Sequence, residues 1–495
     1  MTGLKESRSH ATMVPSRSLV LFLVLLFAAV SSTYSFSTTI TSQSSLESSS
    51  LLLRGGALAS VNSKNVPRKA QTALKVAAAG AEESGGTATI PNEVFNLVKS
   101  IAGAGVLSLP YGVAAFGNAP SALVPAIALI AVMGTLSAYT FGLIGRICQQ
   151  TNTSSYSDAW DVVVGKSTSA LIAFSCFIDC FAGNLSYSMI LADTLVNLLA
   201  SAGVAVTRTQ SLLGVTGVVL LPLCLLKNLA SLAPFSLVGI MGMLYTTLAM
   251  GLRYFGKAYA PGGTYYASQL ATPVFGTAGA SAALSPKSLI LMCMLSNAYI
   301  AHFNAPKFLA ELKNNTMARF HQVIAWSFGT SISLYALITA FGFLTFGAAS
   351  NGLILNNYAV SDALASVSRI AVAISITCSY PLIFVGTRDG LLDLFKVSSD
   401  KRSNGLLNKV TLGILAVVTA MAAQLTDLGL VASVGGATFG TALVFVYPIV
   451  MFLKSQKKKD GKGFNFTAET IPAALIGVLG LAMGAIGTVL SLQGA

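Results

Sequence analysis

The chain has 495 residues, 54% of them hydrophobic and 9% charged, with a formal net charge of +13, whereas an ordinary soluble domain is roughly a quarter charged. So much apolar surface has no place in a soluble core, but a bilayer hides it readily. The basic residues are scattered between apolar runs and form no stripe for nucleic acid, so the excess charge reads as membrane topology and the expected partner is the lipid bilayer. The six cysteines (Cys148, Cys176, Cys180, Cys224, Cys293 and Cys378) sit in or beside apolar segments without a CxxC pair. They read as small buried hydrophobes, and no metal or cofactor is expected.

Residues 1–35 resemble a signal peptide. Lys5, Arg8 and Arg17 precede Leu19–Val30, which is wholly apolar but only twelve residues long, too short for a hydrocarbon core of about 30 Å. From 36 to 90 the chain is rich in Ser, Thr and Ala, and its bases outnumber its acids. Such a stretch has no core to bury and is expected to be disordered. The two segments together resemble the bipartite leader of algae with secondary plastids, in which a Phe follows the signal cleavage point, as Phe36 would here. The alternative is a signal or anchor for plasma, vacuolar or other endomembranes. The transporter-like domain is expected over 91–495.

Eleven apolar segments of spanning character follow, at about 93–116, 121–147, 168–200, 212–226, 232–254, 287–312, 322–347, 361–384, 407–424, 428–453 and 470–492. They are called spans 1 to 11 below. Backbone groups in lipid must pair within each segment, so these are helices. Connections after even-numbered spans carry Arg146 and Lys166, then Lys227, then Lys313 and Arg319, then Arg388, Lys396, Lys401, Arg402 and Lys409, and last Lys454, Lys457–Lys459 and Lys462. The opposite face holds little beyond Arg208, Arg253, Lys257 and Lys287. The even loops therefore face the cytosol or its equivalent. A cleaved secretory signal would leave the N-terminus on the other side. Delivery to a plastid inner envelope, or an uncleaved segment, removes that conflict.

Two spans carry poorly helical centres. In span 1, Gly103-Ala104-Gly105 is followed by Pro110; in span 6, Ser296-Asn297-Ala298-Tyr299 is followed by His302, Asn304 and Pro306. Glycine is costly inside a helix and proline removes a ladder bond. Glycines in one span alone would equally suit close helix packing. Spans 1 and 6 correspond, however, if 1–5 and 6–10 are inverted repeats, and paired interrupted helices at such positions point to a midplane transport site. Unwound backbone offers N–H groups to a carboxylate and carbonyls to an ammonium, so a zwitterion is the natural guest.

Six stretches, GAGVLSLPYG (103–112), LKNLASLAPFSLVGI (226–240), HFNAPKFLAELKN (302–314), GFLTFG (342–347), SRIAVAISITCSYPL (368–382) and LVASVGGATFGTALVFVYP (430–448), taken in order resemble the amino acid/auxin permease (AAAP) family. The resemblance implies an all-α polytopic membrane protein of eleven transmembrane helices, in the 5+5 inverted-repeat, LeuT-like architecture with helices 1 and 6 broken. It implies secondary active transport of an amino acid, with the carboxylate held at Gly103, Ala104 and Gly105 and the amino group near Asn297, Ala298 and Tyr299. Span 3 would line the site through Gly183, Asn184 and Tyr187. Where the sodium-coupled branch has an oxygen ligand four residues before the first glycine, this chain has Lys99. A fixed cation repels sodium, so proton symport or transport without ion coupling is favoured, while Ser375, Thr377 and Ser379 on span 8 keep sodium open.

A charge at mid-bilayer costs roughly 2.5–3.5 kcal/mol on insertion scales and asks for a partner or a purpose. Lys99 reads either as the proton-coupling residue or as a side chain snorkelling to the cytosolic face. Asp179 lies at similar depth and is a candidate partner for it, with a regulatory role. Asp193 and Arg369 read as structural groups toward the outer interface. His302 reads as a packing histidine or as a regulator that titrates near neutral pH. No Ser/His, paired-Asp or HExxH arrangement assembles a nucleophile and base, so no enzyme is expected. The competing functions are transport of an auxin-like or other carboxylate-bearing solute, and amino acid sensing without transport.

Overall fold

A computed structural model describes residues 86–225, 235–267, 271–395, 397, 401–460 and 468–493. The signal-like segment and nearly all of the expected leader lie outside the described residues. Its last positions do not. Gly86 and Ala88 donate N–H groups to the carbonyls of Ala310 and Glu311, and Lys313 donates to Ala88, so the bonded unit begins by Gly86.

Among the described residues, eight helices are long and apolar enough to cross a bilayer: Pro120–Thr151, Lys166–Ser201, Ser288–Glu311, Met317–Phe346, Ala363–Leu394, Asn404–Gln424, Leu428–Gln456 and Thr470–Gln493. They occupy the places of spans 2, 3 and 6 to 11. Ile90–Ile101 and Gly105–Ala114 form a further crossing bent by 46°, in the place of span 1. The shorter Arg208–Cys224 and the 21-residue Phe235–Phe255 stand where spans 4 and 5 are expected. The fold is an all-α membrane architecture.

Small residues set how the spans group. Ser327 of span 7 donates to the Val94 carbonyl of span 1 at 3.3 Å, and Gly342 admits Pro110 where a Cβ would clash at 2.6 Å. Phe141 of span 2 stacks on Phe320 and meets Phe328 edge-on, both of span 7. Gly112 makes room for Leu291 of span 6. Spans 1, 2, 6 and 7 thus pack as one group. Spans 3 and 8 lie along each other through Asn184–Thr387 at 2.7 Å and Ser188–Tyr380 at 3.0 Å. Span 5 joins them because Gly239 and Gly242 lack the Cβ that would strike Ser375 and Ala371.

The outer face is clasped by charge. Asp362 caps the start of span 8 through Leu364 and Ala365, receives a forked pair of bonds from Arg253 at 2.9 and 2.7 Å, and accepts from Tyr259 at 2.8 Å. Burial, with help from the Asp362 carboxylate, pushes the Tyr259 hydroxyl well up, so it stays a donor. Arg208 bonds Asp193 at 2.6 Å and the carbonyls of Ala422 and Leu425 at the end of span 9. Arg369 is buried and donates to the carbonyls of Leu355, Tyr358 and Ala359 in the segment that leads into span 8. Among the few bases of this face, Arg208 and Arg253 are each matched by an acid, which sharpens the charge asymmetry seen in sequence. On the opposite face, a short helix, Tyr156–Val163, docks on span 10. Its Tyr156 hydroxyl donates to the Leu443 carbonyl at 3.2 Å, inside the π-helical stretch Ala442–Val446.

Candidate functional site

Span 1 leaves the α-helix after Ile101. Ala102 lies outside regular helical geometry, Gly103 is extended (φ −81°, ψ 179°), and a 3-10 turn runs Ala104–Ser108 before the helix resumes at Leu109–Ala114. The first bond of that turn is Val106 N–H to the Gly103 carbonyl, so the amides of Ala104 and Gly105 open the segment with no partner inside it. A Cβ built at Gly105 would meet nothing within 4 Å, whereas one at Gly103 would lie 3.4 Å from the Tyr187 hydroxyl. Free space thus faces the second glycine, and the first is roofed by span 3.

Span 6 breaks at the same level of the bundle. The helix Ser288–Ala298 ends, Tyr299–Ala301 are non-helical, and a 3-10 turn His302–Asn304 leads into Ala305–Glu311. Pro306 sits in the first turn of the second half, where a missing N–H does no harm. One residue of span 7 touches both breaks: the Tyr335 hydroxyl lies 2.8 Å from the Ile101 carbonyl and 2.7 Å from that of Ala298.

Below the span 1 break, a small cavity is walled by Lys99, Ala102 and Gly103 with Tyr187, by Gly239, Gly242 and Met243 of span 5, and by Val372, Ser375, Ile376 and Ser379 of span 8. The space open to a water-sized guest is about 20 Å³, room for a water or a bare cation and too little for an amino acid. It therefore suits a coupling ion or proton. Ser375 and Ser379 fall on the same helical stripe as Val372. Thr377, two residues from each, does not line this cavity.

Several expected site residues point elsewhere. Asn184 is fully buried and its amide is spent on the Cys180 carbonyl and the Thr387 hydroxyl, because position 184 lies on the face of span 3 that packs against span 8. The Tyr299 ring turns into the bundle, donating to the Ile130 carbonyl of span 2 at 3.1 Å. The Ala298 carbonyl is occupied by Tyr335, and Asn297 abuts Gly436 and Gly440 of span 10. His302 is fully buried, with Nε2 3.0 Å from Thr140 Oγ1 and 3.2 Å from the Ser137 carbonyl, and Phe141 edge-on to its ring. That is a packing histidine tying span 6 to span 2. Among the described residues Asp193 pairs with Arg208 and Asp362 with Arg253, and Asp179 enters none of the ion pairs.

Sequence reasoning passed over Gly239, Gly242 and Tyr335. Gly239 stood in a quoted stretch and Gly242 just beyond it, and neither carried a role, since their task is to admit span 8. Nothing in the local sequence marks Tyr335. Its partners are 234 and 37 positions away.

Comparison with known proteins gives the family. Residues 86–492 match the family described as transmembrane amino acid transporter protein. The putative sodium-coupled neutral amino acid transporter 11 of Danio rerio is 27% identical over 414 residues, covering 81% of this chain and 87% of its own. Amino acid transporter AVT6E of Arabidopsis thaliana is 25% identical over 422 residues, covering 81% of this chain and 83% of its own. Among solved structures, MhsT in complex with L-phenylalanine aligns with a TM-score of 0.48 at 12% identity, over 81% of this chain and 97% of that one. The family and these relatives are carriers and not enzymes. The chain belongs to the transmembrane amino acid transporter protein family, and its activity is the transport of amino acids across a membrane.

Proposed function

We propose that the chain is a proton-coupled amino acid carrier that works by alternating access around the facing breaks of spans 1 and 6. The carboxylate is received by the amides that open the turn at Ala104 and Gly105, and the ammonium by carbonyls at the break of span 6. The observation that carries this reading is the pair of interrupted helices with open space at Gly105. Side chains of one group of spans, 1, 2, 6 and 7, interlock with each other, as do those of spans 3, 5 and 8. Rocking of the first group against the second would expose the site to either face in turn.

Lys99 is the proposed proton carrier. It lines the cavity with Ser375 and Ser379, and its ammonium would fill the place a sodium ion could take between spans 1 and 8. Losing and regaining a proton as the site alternates would then couple uptake to a pH gradient. Sodium coupling is the second reading, favoured by the same two hydroxyls and by the printed names of the vertebrate relatives. The test is uptake of a panel of labelled amino acids into proteoliposomes, under a pH gradient or a sodium gradient, with Gly105→Val alongside. Accumulation driven by the proton gradient and abolished in Gly105→Val is the expected result. Binding without accumulation would reveal a sensor, and accumulation driven by sodium alone would replace the proton.

A further inference from the structure

Ile101 and Ala298 are the last residues of their half-helices, Ile90–Ile101 and Ser288–Ala298. The end of a helix is where carbonyls lack intrahelical partners and where the macrodipole is negative. In this fold the two negative ends point at one another near the middle of the bundle. They would separate unless a donor lay between them. Tyr335 is that donor. A phenol has one proton, and here that proton is shared between two carbonyl oxygens at 2.8 and 2.7 Å.

The ring has little freedom to leave. Tyr335 is fully buried, and its ring centroid lies 4.8 Å from that of Tyr299. Tyr299 is in turn fastened by its hydroxyl to the Ile130 carbonyl of span 2. The hydroxyl of Tyr335 thus sits at a point fixed by spans 2, 6 and 7, and it draws the break of span 1 to the break of span 6 at one spacing.

We propose that Tyr335 is a positioning residue for the ammonium group of the substrate. By tying the two helix ends it sets the width of the opening in which that group is received, and hence the selection of a primary ammonium over a bulkier substituted one. This rests on the reading that the paired breaks bind a zwitterion. Removing the hydroxyl keeps the packed ring but lets the two ends part. Apparent affinity should fall by roughly tenfold, about the worth of one buried hydrogen bond. The saturated rate should change little.

The test uses the full chain in proteoliposomes and compares Tyr335→Phe with wild type on an amino acid and its N-methyl analogue. The expected result is KM raised about tenfold, a saturated rate within about twofold, and a severalfold narrower preference for the primary amine. Tyr156→Phe serves as control, since it loses a buried hydroxyl that donates to the Leu443 carbonyl of span 10 and touches neither break nor Tyr335, and its preference should match wild type. Unchanged KM, or a loss of rate with the preference intact, would overturn the proposal. Should Tyr335→Phe fail to accumulate in the membrane, 3-fluorotyrosine at position 335 alters donor strength and leaves the ring in place. A shift in KM and preference is then expected, and no shift overturns the assignment. If wild type accumulates no amino acid, the zwitterion reading itself fails and this inference falls with it. If wild type transports and the variants match it, only the role of Tyr335 is lost.

Discussion

Under the proposed proton coupling, Lys99 is the residue on which the energetics would turn. Two unit charges 4 Å apart repel by about 4 kcal/mol at an effective dielectric of 20, close to a thousandfold in binding. A sodium ion held by Ser375 and Ser379 would have to share the cavity with that ammonium. Replacing Lys99 should therefore change which ion matters more than whether the carrier works. Lys99→Ala is expected to retain exchange of labelled amino acid while uptake becomes indifferent to a pH gradient. Lys99→Asn, which supplies an oxygen instead of a charge, is expected to gain stimulation by sodium over choline. Undiminished proton dependence in Lys99→Ala would remove this residue from coupling. The three other groups singled out inside the bundle behave differently. His302 Nε2 and Asn184 Nδ2 make packing bonds while His302 Nδ1 and Asn184 Oδ1 are buried without a partner, and Asp179 lies outside the ion pairs.

At the scale of elements, the outer half of span 6 is held by glycines on its neighbours. A Cβ at Gly436 of span 10 would lie 1.8 Å from the Cys293 carbonyl, and one at Gly487 of span 11 would lie 2.3 Å from the Cys293 sulfur. Both glycines sit in π-helical turns, Gly436–Gly440 and Met483–Gly487, where the widened helix presents its backbone to span 6. Gly436→Ala must push the Cys293 backbone aside and is expected to destabilise the protein by about 1–3 kcal/mol, as overpacking does. Gly413 of span 9 provides the contrast. It has nothing within 4 Å of a Cβ, so Gly413→Ala should gain about 0.5–1 kcal/mol from helix propensity alone. Thermal unfolding in detergent, followed by a thiol-reactive dye at the buried cysteines, would rank the two variants. Equal melting temperatures would show that the close approach at Gly436 is not needed.

Across the whole molecule, the proposed transport cycle requires the cytosolic end of span 1 to part from its neighbours when the site opens inward. In this structure that end is strapped. Gly86–Ala88 pair with Ala310–Lys313 at the end of span 6, and Ala88 stands opposite Leu312 as an isolated parallel bridge. Gly86 fits there because a Cβ would lie 1.9 Å from the Glu311 carbonyl oxygen. Nearby, Glu93 is fully buried, and both of its carboxylate oxygens lack a hydrogen-bond partner. A chain carrying both Ala88→Cys and Leu312→Cys should therefore cross-link on mild oxidation. Uptake should stop on cross-linking and return with a reductant, while either single variant stays indifferent. Full uptake through the cross-linked form would show that the strap does not have to open.

The order of the helices was legible in the sequence because lipid leaves the backbone so few choices. An apolar run of spanning length has to be helical, and the glycine pair at 103 and 105 marks where the ladder of span 1 fails, whereas Pro381 lies inside the continuous helix of span 8. Six short stretches were enough to indicate the family. What only the tertiary structure decided is the direction each side chain takes around its helix. The Asn184 amide nitrogen meets span 8 and the Tyr299 hydroxyl meets span 2, while Tyr335 has no local signal and meets both breaks. The physical reason is that periodicity fixes position along a helix, but rotation about its axis follows from which neighbours come close. Those approaches are set by contacts such as Gly239 on Ser375 and Gly436 on Cys293, between residues more than a hundred positions apart.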